Sequence, residues 1–118
     1  MAGITQLTRS GVYLARLDPA KGAEVGKLRP VVVLTDQALL DIKPPHVFVC
    51  PLSGRSEAEY QALHVSLPAR DSLKVSSYAL VEHCRAISIR RLQSDRLATL
   101  EIDEMNEIMR RLHRLIGW

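Results

Sequence analysis

The sequence predicts a mainly β, β-rich α+β domain: a small antiparallel β-barrel with an amphipathic helix at its C-terminal end. Two observations predict it. Short runs of strand formers recur between turn residues about every eight to twelve positions as far as Ile89. The period then changes, and Met105, Ile108, Met109, Leu112, Leu115 and Ile116 fall on one face at helical spacing. At 118 residues the chain, 1–118, is long enough for one core and too short for two.

Residues 1–10 carry little pattern and are expected to fray or lie across the surface. Gly11 to Leu17 (G-V-Y-L-A-R-L) is a strand between a glycine and an Asp-Pro turn, and Pro30 to Thr35 is a continuous apolar run, as in a strand buried on both faces. Asp36 caps one helical turn to Asp41, which ends at Lys43-Pro44-Pro45. His46 to Leu52 is the third strand, and Pro51 suits an edge or a strand end. Ser53 to Glu59 reads as a polar loop, Ala62 to Leu67 as a short strand, and Pro68 to Asp71 as a turn. Tyr78 to Val81 and Cys84 to Ile89 are two strands, or one bent strand broken at Glu82-His83. The helix spans 103–116 with Asp103 as its N-cap, Glu107 and Arg111 as an i,i+4 pair, and Gly117 as its stop. Its apolar face reads as a lid on the barrel, and Arg110, Arg111 and Arg114 as a solvated face.

Composition narrows the classes. A hydrophobic content of 47% with 25% charged residues is that of a folded globule, not a disordered chain. The formal net charge of +3 is uneven: Lys and Arg outnumber Asp and Glu by 12 to 8 up to Arg91 and are outnumbered 4 to 5 beyond it. An anionic partner is favoured without being required. No apolar run approaches the ~20 residues of a membrane span and no signal peptide opens the chain, so a cytoplasmic location is expected. Cys50 and Cys84 sit in separate apolar runs without ligand spacing and read as buried thiols, with no metal or cofactor expected.

The most chemically loaded stretch is Asp18 to Leu34. Pro30 heads a strand and pushes Arg29 into an extended conformation where loop meets sheet. Glu24 lies in the same loop, flanked by Gly22 and Gly26, where positive φ or close backbone approach calls for glycine.

The runs G-V-Y-L-A-R-L-D-P-x-x-G-x-E-x-G-K-x-R-P-V-V-V-L, V-C-P-L-S and A-L-V-E-H-C-R-A-I-S-x-x-R-L resemble the MazF/PemK (Kid) family of toxin endoribonucleases. The resemblance extends from Gly11 to Ile116. It implies an SH3-like β-barrel, a homodimer, metal-independent cleavage of single-stranded RNA to a 2′,3′-cyclic phosphate and a 5′-hydroxyl, and a cognate antitoxin with an acidic disordered segment. Two other readings keep the fold without the chemistry: a binding toxin like the CcdB relatives that poison DNA gyrase, and an inactive antitoxin-binding scaffold.

Metal-free RNA cleavage needs a base for the 2′-OH, an acid for the 5′-oxygen, and a cation for the charge on phosphorus. Arg29 suits the last role, because a planar guanidinium meets two phosphoryl oxygens and is too weak an acid to protonate a leaving group. Ser53 stands where the family usually has threonine and offers a hydroxyl donor. Glu24 and Glu82 are both candidate bases. His83, where many relatives have glutamine, is an added candidate, but adjacent strand residues face opposite ways, so a Glu82-His83 dyad would need a bulge. Lys27, Arg55, Arg70, Lys74 and Arg85 are candidates for tracking the RNA backbone. His46, His64 and His113 have no identifiable partner in the sequence. Val12 departs from the acidic residue that many relatives carry there.

Overall fold

Seven antiparallel strands make one strongly bent sheet in the computed structural model, which describes residues 6–24 and 26–117. They are β1 (Gly11–Arg16), β2 (Leu28–Val33), β3 (His46–Ser53), β4 (His64–Leu67), β5 (Ser77–Leu80), β6 (Arg85–Ser88) and β7 (Ala98–Thr99). The order is β4-β5-β3-β2-β1-β7, and β6 also pairs with β3. Two α-helices, α1 (Gln37–Asp41) and α2 (Ile102–Leu115), and short 3-10 helices at Ala58–Leu63, Val81–His83 and Ile89–Arg91 complete the fold. The result is an SH3-like, partly open β-barrel with a C-terminal helix.

The central strands are apolar on both faces because each face meets its own core. Val32 in β2, Val12 in β1, and Cys50 and Leu52 in β3 point into one cluster with Val65, Leu67, Met105 and Ile108. Their alternates Val31, Val33, Tyr13, Ala15, Val47 and Val49 point into a second cluster, closed by Leu7, Leu17, Leu40, Ile87 and Leu92. Val12, fully buried between Val32 and Ala98, is apolar for this reason.

Several expectations change against this frame. Pro51 is on no edge, since β3 is paired on both sides. It falls where β3 changes partner, after β6 has ended at the Val49–Arg85 pair and before β5 begins at Leu52–Ala79, so its missing N–H leaves no gap in either ladder. Val81–His83 is a 3-10 turn between two separate strands. The 3-10 helix Ala58–Leu63 takes the end of the predicted polar loop and the first two residues of the predicted fourth strand. β7 had no sequence signature beyond two residues.

At the N-terminus, residues 1–5 lie outside those described. The rest of that segment does not fray: Leu7 is buried, the Thr8 N–H donates to the Tyr13 hydroxyl and the Arg9 N–H donates to Gln37 Oε1. Asp36 caps α1 as expected, accepting from the Ala38 N–H.

The N-cap of α2 is Glu101, not Asp103. Glu101 and Glu104 form a reciprocal capping box that places Asp103 inside the first turn. The helix packs on β4 and the Val81–His83 turn with Met105 and Ile108 buried, while Leu115 and Ile116 at its far end are exposed. Arg111 does not belong to the solvated face. Its Nε donates to Glu107, as the i,i+4 spacing predicts, and its Nη1 donates to the His64 carbonyl at 2.6 Å and to that of Ala62 at 3.2 Å.

Candidate functional site

The β2–β3 ladder decides which side chains meet. Val33 pairs with Val49, Val32 with Cys50 and Val31 with Pro51. Continued two residues, that register sets Arg29 opposite Ser53, and both line one cleft of about 540 Å³. Lys27 and Lys74 line it too, with Leu28, Leu73 and Val75 among its apolar members. Three cations and the serines Ser53, Ser72 and Ser77 on a mostly apolar wall suit an anion attached to something less polar.

The loop before β2 fixes Arg29. The Lys27 N–H donates to Asp18 Oδ1 at 2.7 Å, the Leu17 N–H donates to the Lys27 carbonyl at 2.8 Å, and Arg29 Nε donates to the Gly26 carbonyl at 2.9 Å. With Nε anchored, the terminal nitrogens are the ones left to meet an anion. Both loop glycines have a reason: Gly22 has φ +58°, and a Cβ on Gly26 would run into the Asp18 carboxylate. Ser53 Oγ accepts from the Arg55 N–H at 3.2 Å, which orients the hydroxyl oxygen and leaves its proton to donate.

The carboxylates lie apart from that cleft. Glu24 and Glu82 share a smaller pocket of about 150 Å³ with His83, Cys84 and Arg85. Glu24 does not pair with Arg29; its Oε1 accepts from the Lys21 N–H at 2.7 Å, and among the described residues no partner meets its Oε2. Glu82 is engaged by a residue for which the sequence suggested no partner. His64, its side chain only 2% exposed, places Nε2 at 2.8 and 3.0 Å from the two Glu82 oxygens and Nδ1 at 2.7 Å from Ser56 Oγ. Nothing in the spacing of positions 56, 64 and 82 signals this chain; it exists because β4 and β5 pair and the 3-10 turn brings Glu82 back over them.

His83 lines the same pocket as Glu82, with Nε2 at 3.9 Å from Glu82 Oε2. Glu82 and His83 can share it without a bulge because this segment is a 3-10 turn, not a strand with alternating faces.

The candidate backbone-tracking cations divide. Lys27 and Lys74 line the cleft, and Arg55 is exposed one residue past its Gly54 rim. Arg85 lines the carboxylate pocket, with one guanidinium nitrogen buried and without a partner among the described residues. Arg70 is elsewhere: both terminal nitrogens bind Glu104 and Nε donates to the Pro68 carbonyl, tying a turn to α2. That hydrogen bond holds the Glu104 carboxyl below its usual range and raises the Arg70 guanidinium further.

Cys50 and Cys84 are free, Cys50 buried and Cys84 half-buried, at the position that follows the Val49–Arg85 pair. Burial, then the hydrogen bond with Cys84, pushes the Cys50 thiol well above its ordinary range. Among the described residues no three His, Cys, Asp or Glu side chains converge as a metal site would require.

Comparison with known proteins adds to this geometry. A family model described as the PemK-like, MazF-like toxin of type II toxin-antitoxin systems matches residues 8–116. Endoribonuclease MazF of Staphylococcus saprophyticus is 31% identical over 103 residues, covering 86% of this chain and 84% of that one. MazF from Deinococcus radiodurans in crystal form I superposes with a TM-score of 0.82 at 26% identity, over 96% of this chain and 98% of that one. A MazE–MazF structure from the same organism, form II, superposes with a TM-score of 0.71 at 26% identity, over 92% of this chain and 94% of that one.

Proposed function

We propose that this chain, which belongs to the PemK-like, MazF-like toxin family of type II toxin-antitoxin systems, is an endoribonuclease that cuts single-stranded RNA by internal attack of a ribose 2′-hydroxyl, without a metal ion. The observation that carries the mechanism is the meeting of Arg29 and Ser53 across the β2–β3 ladder in a cleft that also holds Lys27 and Lys74.

A phosphodiester in this cleft meets the terminal nitrogens of Arg29 and the Ser53 hydroxyl. As the 2′-oxygen attacks, a second negative charge builds on the non-bridging oxygens. The guanidinium, already fixed through Nε, meets that charge without reorganising. Removing one such donor costs about 10²–10³ in rate. Glu24, which lines the smaller pocket and not the cleft, is the base in this reading, so the attacking ribose must reach from one to the other. Glu24 sits on the loop that carries Arg29 and has a carboxylate oxygen free among the described residues, whereas both oxygens of Glu82 are held by His64. The bond from phosphorus to the 5′-oxygen breaks as that to the 2′-oxygen forms, the leaving oxygen takes its proton from solvent water, and the products are a 2′,3′-cyclic phosphate and a 5′-hydroxyl. The binding-toxin and scaffold readings have no use for an arginine and a serine hydroxyl lining one cleft.

The partner that neutralises the toxin is a cognate antitoxin, as in the MazE–MazF pairs of Deinococcus radiodurans. An acidic, initially disordered segment would compete for Lys27, Arg29 and Lys74, and its apolar side chains would meet exposed Leu28 and Val75 on the same wall. The working unit in this reading is a homodimer.

The test is purified protein with naked single-stranded RNA in excess EDTA, beside Arg29→Ala. Cutting that persists in chelator and falls at least about 10²-fold in the variant supports the reading. Wild-type protein that cuts no RNA, or an Arg29→Ala variant that cuts equally well, refutes it.

A further inference from the structure

Next to the cationic cleft is a second cavity of about 380 Å³, lined by Gly54, Ser56, Gln61, His64, Ser66 and Tyr78. Gly54 lines both, so the two are contiguous. The β3–β5–β4 ladder sets Ser53 opposite Tyr78 and Tyr78 opposite Ser66, a row that runs from the cleft into this cavity. The two spaces differ in chemistry. The cleft has Lys27, Arg29 and Lys74; the second cavity has no lysine or arginine in its lining and is built from hydroxyls, an amide, an imidazole and a half-buried aromatic ring. A phosphate would find no countercharge there. A flat, neutral, hydrogen-bonding heterocycle would find a ring to stack on and polar groups for its edge.

The geometry points to this cavity as a nucleobase subsite next to the scissile phosphate, selecting a base with an exocyclic amino group and disfavouring uracil; it rests on the reading above that RNA occupies the cleft. The selectivity follows from the Ser56–His64–Glu82 chain. The Glu82 carboxylate only accepts, so Nε2 is a donor, and in this proposal His64 takes the tautomer with its one ring proton there and Nδ1 as an acceptor. In that tautomer Ser56, 2.7 Å away, donates to it. The Ser56 hydroxyl proton is thereby committed, and the oxygen offers the cavity lone pairs alone. Cytosine or adenine sets its amino group on that oxygen, while uracil seated the same way sets its 4-carbonyl there and leaves two acceptors facing each other; its one donor on that edge, N3–H, reaches the oxygen only if the ring shifts. The chain is held from behind, because Arg111 Nη1 donates to the His64 carbonyl at 2.6 Å and the ring itself is buried.

The test is direct binding at pH 7.5 by fluorescence anisotropy. The probes are short single-stranded RNAs with a 2′-deoxy sugar at the cut position and each neighbouring base varied in turn through A, C, G and U. One neighbouring position should bind uracil about tenfold more weakly than the amino-bearing bases. That gap should close in Ser56→Ala and return in Ser56→Thr, and Tyr78→Leu should weaken binding of every base there by about tenfold. Thermal melting of each variant guards against misfolding, and Ser56 lies on a loop, where loss of its hydroxyl leaves the strands intact. Base-selective binding that responds to Ser56 supports the subsite even if the all-ribose RNA is never cut, which would fail the nuclease reading alone. Cutting with a base preference that neither variant alters, or a preference for uracil, overturns the subsite and leaves the nuclease standing. No binding of any oligonucleotide overturns both.

Discussion

Replacing Gly26 by alanine should slow the reaction far more than it unfolds the protein. The added Cβ would land against Asp18 Oδ1, well inside van der Waals contact, and would press on Ala20 as well. That carboxylate oxygen is the acceptor for the Lys27 N–H, and the Gly26 carbonyl is the acceptor for Arg29 Nε, so relieving the clash disturbs both bonds together. Losing an exposed hydrogen bond to a charged group costs about 1.5 kcal/mol of stability. Restoring ordinary contact needs a shift of about 1 Å, and a misplacement of that size in a positioning group can cost about 10²-fold in rate. Urea unfolding and single-turnover cleavage of one RNA in EDTA, run on the same preparations, separate the two effects. The expected result is a loss near 1.5 kcal/mol with a rate reduced by about 10–10²-fold. Asp18→Asn, which keeps the shape and weakens the bond, should fall between the variant and the wild type. A variant that cuts within about twofold of wild type, whatever its stability, would refute the claim that the Gly26 carbonyl holds Arg29 in place.

Four further outcomes follow from the same contacts. Glu24→Gln should lower the cleavage rate by about 10²–10⁴ with analogue binding little changed, and Glu82→Gln should lower it by less than about tenfold; the reverse order would reassign the base. The Glu104 carboxyl is held below its usual range in the fold, so its contribution to stability is present above the unfolded value of ~4.3 and is lost as pH falls through the folded one. The stability gap between wild type and Glu104→Gln, measured by urea unfolding, should thus be full at neutral pH and shrink on acidification. Because burial suppresses its thiolate, Cys50 should resist iodoacetamide at about pH 8.5 until denaturant is added, as read by peptide mass spectrometry. Arg111→Lys, which keeps the charge but loses the fork that joins Glu107 to two backbone carbonyls, should destabilise the protein by about 1–3 kcal/mol in urea unfolding.

What was legible in the sequence was whatever local chemistry decides. Four apolar residues behind Arg29-Pro30 announce a strand buried on both faces, and two separate cores do cover it. Asp36 before a short apolar turn announces its cap. Gly22 and Gly26 serve the two purposes for which loops use glycine, positive φ in one case and close approach in the other. Asp103 reads as the cap of α2 because aspartate outranks glutamate as an N-cap, whereas the paired Glu101 and Glu104 satisfy two donors at once.

Register was not legible, and register builds the site. Arg29 and Ser53 are 24 positions apart and meet because Val31 faces Pro51. Ser56, His64 and Glu82 come from a loop, a strand and a 3-10 turn, so the buried imidazole could be seen only once β4 and β5 were paired. Glu82 and His83 share a pocket for a similar reason, since a three-residue turn replaces the strand whose alternation would have separated them.

In the proposed mechanism the RNA itself supplies the nucleophile, at a phosphate held by Arg29 and Ser53. The most direct measurement is cleavage in EDTA of two oligonucleotides that differ only by a 2′-deoxy substitution at the cut nucleotide. The ribose version should be cut to a 2′,3′-cyclic phosphate and a 5′-hydroxyl, identified by mass spectrometry, and the deoxy version should stay intact at that bond while still binding. A deoxy oligonucleotide cut at the same bond, or a ribose product with a 5′-phosphate, would contradict the account.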